Sequence, residues 1–290
     1  FCIFGDILIP EVYMVFGRKK VKVGVAFGGG GARGFAHLGA IKAFEQFGVK
    51  FDFVAGTSAG SLVGAFYANG YTFNQIYDMA KNIRAKDIRK NVIPFTASKL
   101  DSLAEIIRKN MGDKNIEDSL IPFSSVAVDL KSTKEVCFRK GNLASAVCGS
   151  CAVPGVFQPV EYNDMILADG GLQNTIPADI PKYFGCDYVV AIDVNKSRVY
   201  GTNSTKFLDV LSCSIRILMK SNAIRGYVNA DVVIGPETKR FKSTSTDGLD
   251  DMIEEGYKAT IDAMPKILEL FKKKPLKKNK KLPDDIIFVK

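Results

Sequence analysis

At 290 residues the chain is long enough to bury a large core as one domain, or as one domain with a small annex. Hydrophobic residues make up 47% of it, which excludes general disorder. The net charge of +9 favours anionic surfaces, but no aromatic interleaving or recognition motif points to nucleic acid.

The stretch Phe1 to Phe16 is apolar but interrupted by Asp6, Pro10 and Glu11. It is too broken for a transmembrane helix and lacks the basic start of a signal peptide. Residues 1–20 are therefore set apart as an ill-defined extension, with Met14 a candidate start. The first strand is expected at Val21 to Phe27. It runs into Gly28-Gly29-Gly30-Gly31-Ala32-Arg33-Gly34, after which Phe35 to Phe47 has helical apolar spacing. A glycine-rich loop between strand and helix presents backbone N–H groups to an anion. As a P-loop it fails, because no Lys-Ser or Lys-Thr closes it. As a dinucleotide loop it lacks an acid at the end of the second strand, since Asp52 stands at that strand's start. As an oxyanion hole it fits: N–H groups at one strand end face a serine on the next.

That serine follows at once. Phe53-Val54-Ala55 can end a buried strand, Gly56-Thr57-Ser58-Ala59-Gly60 is a G-x-S-x-G, and Leu62 to Tyr67 reads as a helix. Strand, sharp turn and helix are the context in which this motif makes a nucleophile elbow. Gly56 and Gly60 remove Cβ atoms that such a turn cannot hold. Ser58 would stand at a helix N-terminus, where free N–H groups favour developing negative charge.

The rest of the chain alternates helices and strands. Helices are expected over Phe73 to Ile83 and Leu100 to Met111, broken by Pro94 and the polar residues after it; this segment is either a wall for the site or ordinary peripheral packing. Phe123 to Leu130 is a strand that Lys134 to Phe138 can pair with as a hairpin. A short helix begins at Leu143, strands follow at Met165 to Ala168 and from Asp187 to Asp193, and Asp193, which ends the second, is given a structural role. Phe207 to Ile224 reads as a long helix whose stripe of Phe207, Leu211, Ile215 and Leu218 is expected to face the core. Asp231 to Ile234 is a last short strand, and helices are expected over Asp250 to Ala263 and Lys266 to Phe271, with Pro265 at a break or a first turn. The tail carries Lys272, Lys273, Lys274, Lys277, Lys278, Lys280 and Lys281, a solvated end or a contact for anionic lipid. The six cysteines lie in apolar settings, as small buried hydrophobes do in a reducing compartment. Cys148 and Cys151 form a C-x-x-C without a second pair or a nearby histidine, so zinc is not expected.

Taken together, Gly29 to Gly34 and the Gly-Thr-Ser-Ala-Gly elbow resemble the patatin-like phospholipases, serine hydrolases of bacterial type. The family's third motif, Asp-Gly-Gly, is matched by Asp169-Gly170-Gly171, and the flanking stretches Ser150 to Val160 and Asn174 to Pro177 are similar too. The resemblance covers roughly Val23 to Asp193. It implies a Ser-Asp dyad with Ser58 as nucleophile and Asp169 as base. It also implies an oxyanion loop of Gly29, Gly30, Gly31, Arg33 and Gly34, supported by Gly56, Gly60, Gly170 and Gly171, with a lipid ester as substrate.

The residues support a dyad in their own right. A triad needs a histidine, and the single one, His37, lies just inside the helix after the glycine loop, where packing or loop support is its expected role. A carboxylate must then serve. Free aspartate, with a pKa of about 3.9, is a weak base, so Asp169 needs a desolvated site or a tight bond to Ser58.

The expected fold is α/β, a mainly parallel sheet with helices on both faces. Its catalytic domain should span residues 21–195, completed by helices and a strand over 196–272 and followed by a basic tail over 273–290. The expected activity is phospholipase A or lysophospholipase-type ester hydrolysis without cofactor or metal, in the cytoplasm, with peripheral contact through the tail. The alternatives are a lipid-binding module without catalysis and a Ser-His-Asp esterase using His37.

Overall fold

The computed structural model describes residues 20–82, 98–276 and 283–289. Its frame is a nine-stranded mixed sheet. Strands β1 (Val23–Phe27), β2 (Phe53–Thr57), β3 (Phe123–Asp129) and β7 (Tyr188–Ile192) are buried at every residue, as parallel strands covered on both faces are. With β8 (Val232–Ile234) they form the parallel run β3-β2-β1-β7-β8. Strands β4 (Lys134–Phe138), β5 (Val160–Tyr162), β6 (Met165–Asp169) and β9 (Ile286–Val289) extend it; β3 pairs antiparallel with both β4 and β6.

One face of the sheet is covered by α1 (Ala36–Gln46), α2 (Ala59–Ala68), α3 (Phe73–Asn82), α4 (Asp101–Met111), α5 (Leu143–Ser150) and the long α8 (Leu249–Lys272), whose apolar sides join the larger hydrophobic cluster. The other face carries a smaller cluster under α6 (Asp179–Tyr183) and α7 (Phe207–Asn229). The α/β fold with helices on both faces is the expected one.

Several elements differ from the sequence reading. Residue Pro265 does not interrupt α8, which runs unbroken past it because Met264, Ile267 and Leu270 are all buried in the core. Tertiary packing there outweighs the lost hydrogen bond and the clash that a helical proline brings. The basic tail ends in structure: β9 pairs in parallel with β4, from Glu135 opposite Ile286 to Phe138 opposite Val289. Lys277, Lys278, Lys280 and Lys281, and the break around Pro94, lie outside the described residues. The stripe on α7 does not face the core. Phe207 is 76% exposed and Leu218 60%, and only Ile215 of the expected set turns toward the interior.

Candidate active site

Residues Ser125 to Asp129 of β3 pair with β4 on one edge, so β2 and β6 must share the other. There they meet end to end. Parallel β2 stops with Thr57 opposite Val126, and antiparallel β6 stops with Asp169 opposite Ala127. The residue after Thr57 is Ser58, so sheet register alone brings Ser58 and Asp169 together across more than a hundred residues of sequence.

Ser58 has φ 55° and ψ −128°, a strained conformation for a residue with a side chain. The elbow holds it there. Its N–H donates to Ser150 Oγ at 2.8 Å, and Ser150 Oγ donates in turn to the Val126 carbonyl. Its carbonyl accepts from Ser61 N and Leu62 N as the first turn of α2. Close approach explains the glycines: a Cβ on Gly60 would fall 2.2 Å from the Phe27 carbonyl oxygen, and one on Gly170 2.2 Å from that of Val126. Gly56 packs equally tightly against the backbone of Gly60 and Ser61.

Asp169 is fully buried. Its Oδ1 accepts from Gly171 N at 2.8 Å, while Oδ2 has no hydrogen bond of ordinary geometry. The Ser58 hydroxyl lies near enough to favour the charged form, but burial dominates and pushes the carboxyl up to about 6. This aspartate is thus desolvated, short of partners and more basic than a free one. The serine is close without a tight bond, as catalytic pairs often are before substrate arrives.

The glycine loop turns over Ser58. Gly29 lies so near that a Cβ on it would come within 3.2 Å of the Ser58 Cβ. Its N–H, however, is committed to the Thr175 carbonyl at 3.0 Å, and that of Ala32 to the Ser243 carbonyl at 2.9 Å. Of the expected glycine donors, Gly29 is therefore occupied, and the N–H groups of Gly30 and Gly31 have no acceptor among the described residues. Gly34 gives room to Ala59, whose Cβ would lie 2.7 Å from a Cβ there. Asn195 props the loop by donating from Nδ2 to the Gly29 carbonyl at 2.6 Å. The sequence offered no signal for Asn195, and it placed Ser150 and Thr175 in family-like stretches without showing their roles, because each works through a partner far away in the chain.

His37 is wholly buried with its ring edge-on to Phe27, and its Nε2 donates to the Gly28 carbonyl at 2.8 Å. Burial lowers its pKa to about 4, so it stays neutral and clamps the loop. That arrangement speaks against it as the general base.

A cavity of about 300 Å³ opens above Ser58. Leu62, Leu100, Leu103, Val153, Val156 and Phe157 give it an apolar wall, so α4 is part of the site's lining. Its other side holds Arg33, Tyr200, Arg216 and Lys220. Arg33 is almost fully buried; desolvation lowers its pKa, Tyr200 offsets part of that, and Nε has no partner. Together with Arg216 and Lys220 it gives the cavity a cationic side. Asp193 also lines the cavity, but its carboxylate is taken by Asn195 N and Tyr227 Oη, a structural role.

Behind Asp169 the chain is anchored by a buried polar network. Thr57 Oγ1 donates to the Asn174 carbonyl, and Asn174 Nδ2 donates to Glu135 at 3.1 Å and Asp179 at 2.9 Å. Arg225 of α7 pairs with both carboxylates. Burial pushes Glu135 up to about 7 despite Arg225.

The family model for patatin-like phospholipases matches residues 25–182. An NTE family protein of Mycobacterium tuberculosis is 32% identical over 192 residues, covering 65% of this chain and 53% of the relative. The lysophospholipase nte1 of Aspergillus fumigatus is 30% identical over 204 residues, 66% of this chain and 13% of that protein. Among solved structures, VipD from Legionella pneumophila superposes with a TM-score of 0.60 at 15% identity, covering 86% of this chain and 67% of VipD. The chain thus spans about half the length of the mycobacterial relative and a small part of the fungal one.

Proposed function

Since the chain belongs to the patatin-like phospholipase family, we propose that it hydrolyses carboxylic esters of lipids through Ser58 and Asp169. The observation that carries this reading is a serine at a positive-φ elbow beside a buried carboxylate of raised pKa, under an apolar cavity.

In the proposed mechanism Asp169 takes the hydroxyl proton of Ser58 while the Ser58 oxygen attacks the ester carbonyl. The oxyanion is held by the N–H groups of Gly30 and Gly31 and by the N-terminus of α2, donors typically worth about 3 kcal/mol each. Collapse of the tetrahedral intermediate expels the alcohol, which takes the proton from Asp169, and leaves an acyl-Ser58. Water then gives its proton to Asp169 and attacks the acyl carbon. The acid departs as that proton returns to Ser58. A carboxyl near pKa 6 is mostly ionised at neutral pH yet holds a proton better than a free aspartate does, which is what a general base requires. The apolar wall suits an acyl chain, and Arg33, Arg216 and Lys220 suit an anionic headgroup.

The test is hydrolysis of lysophosphatidylcholine and of a medium-chain p-nitrophenyl ester by wild type, Ser58→Ala and Asp169→Asn, with folding checked by circular dichroism. Turnover by wild type and a drop of at least a thousandfold in both variants is the expected result. Turnover retained by Asp169→Asn would remove Asp169 from the role of base, and an inert wild type would favour a binding module.

A further inference from the structure

Helix α7 has two apolar sides. The inner one, with Ile215, Met219 and Ala223, lines the cavity over Ser58. The outer one is open to solvent: Phe207 is 76% exposed, Leu218 60%, Ile224 63% and Val228 77%. Val210, Leu211 and Ile217 fall on the same stripe, at the three-, four- and seven-residue spacings of a helix face, and are also exposed. Just before the helix, Val199 adds a further side chain that is 77% exposed. A contiguous apolar patch on this scale normally marks a surface that meets something.

Charge identifies what it meets. Between Val194 and Asn229 the cations are Lys196, Arg198, Lys206, Arg216, Lys220 and Arg225, against Asp209 as the one acid. Arg225 turns inward to Glu135 and Asp179. Lys206, Arg216 and Lys220 are exposed beside the stripe. An apolar stripe bordered by cations is the pattern of a helix that lies in a bilayer interface, its side chains among the acyl chains and its charges on anionic headgroups. Among the described residues no helix is long and apolar enough to cross a membrane, so the helix would lie on the surface.

We propose that the outer face of α7 docks this protein on an anionic lipid surface, which sets the cavity lined by the helix's inner face at the bilayer. The inference gives the lipid hydrolase reading its route to substrate, and it rests on that reading only for the purpose of docking. The surface itself is defined by exposure and charge.

The experiment is co-sedimentation of the full chain, carrying Ser58→Ala so that vesicles stay intact. Vesicles of phosphatidylcholine alone are compared with vesicles containing phosphatidylglycerol. Binding is expected to be tighter to the phosphatidylglycerol vesicles and to weaken with salt. The triple substitution Phe207→Ser, Leu218→Ser and Val228→Ser should weaken it at least tenfold. These side chains are exposed and outside the cavity, so with Ser58 restored the triple variant should still hydrolyse a monomeric short-chain ester while losing vesicle hydrolysis. Stripe-dependent binding by a protein that hydrolyses nothing would uphold docking and sink only the hydrolase reading. Unchanged binding by the triple variant would overturn the proposal and leave the basic tail as the membrane contact. A wild-type dimer that the triple variant dissociates in sedimentation velocity would overturn it in favour of a second copy. Vesicle binding insensitive to the stripe until residues 1–19 are removed would assign the stripe to that segment instead.

Discussion

At the scale of the residue, the catalytic assignment and stability pull in opposite directions at Asp169. Its pKa in the fold, about 6, lies above its ordinary value of 3.8. The stability it contributes is therefore complete below about pH 4 and lost as pH rises through about 6. Ionised and buried, it costs the fold roughly 3 kcal/mol, which follows from about 1.4 kcal/mol for each tenfold change in acidity. Asp169→Asn keeps an oxygen for Gly171 N and removes the charge. It should abolish hydrolysis yet raise Tm by a few degrees at pH 8, with the gain vanishing near pH 4 in a thermal denaturation series. His37→Gln retains a donor for the Gly28 carbonyl, and its kcat/KM should fall less than tenfold with the same dependence on pH. A loss as large as that of Ser58→Ala would revive the triad. Ser58 and Asp169 were legible because each sits in a local motif whose glycines betray a tight turn. The bonding roles of Ser150, Thr175 and Asn195 were not, since a lone serine, threonine or asparagine bonds a distant backbone group only once the sheet has set the register.

At the scale of the element, the site depends on two strand ends meeting on one edge of β3. Gly170 lies where they join, with the Val126 carbonyl 2.2 Å from its would-be Cβ. Gly170→Ala must push the end of β6 away from β3. It should lower activity at least a hundredfold and destabilise the fold by roughly 2 kcal/mol, within the range for overpacking a buried site, as read by urea denaturation. Gly201→Ala, where a Cβ would meet nothing within 4 Å and φ is not positive, controls for the loss of a glycine without a close approach. Helix α7 shows why periodicity misled. Spacing reveals that a helix has an apolar face, but not what covers that face, and on α7 a second apolar side supplied the contact with the interior. The continuity of α8 through Pro265 and the strand β9 escaped notice for the related reason that packing of Met264 and Ile267, and pairing with β4, override local propensity.

At the scale of the whole molecule, Arg225 ties α7 to Glu135 of β4 and Asp179 of α6, the carboxylates that Asn174 also bonds. Its partners Glu135 and Asp179 are each 1% exposed. Arg225→Met would leave two buried carboxylates facing each other, a loss of roughly 3 kcal/mol at pH 8. Glu135 already titrates near 7, above its ordinary value, so the fold is helped by its proton at low pH and loses that help as pH rises through about 7. The deficit of the variant should accordingly be smaller at pH 5 than at pH 8 in paired denaturation curves. A constant deficit would mean that Arg225 acts through packing alone. The strand-and-helix alternation made the layered α/β frame readable from the sequence, whereas this network joins residues of four separate elements and leaves no pattern in the chain. The central claim, that Asp169 activates Ser58, is tested most directly by the rate at which a fluorophosphonate probe labels Ser58 across pH. The account predicts a rate that climbs through about pH 6 to a plateau, no labelling of Ser58→Ala, and labelling of Asp169→Asn slowed at least a hundredfold. An Asp169→Asn protein that labels as fast as wild type would contradict it.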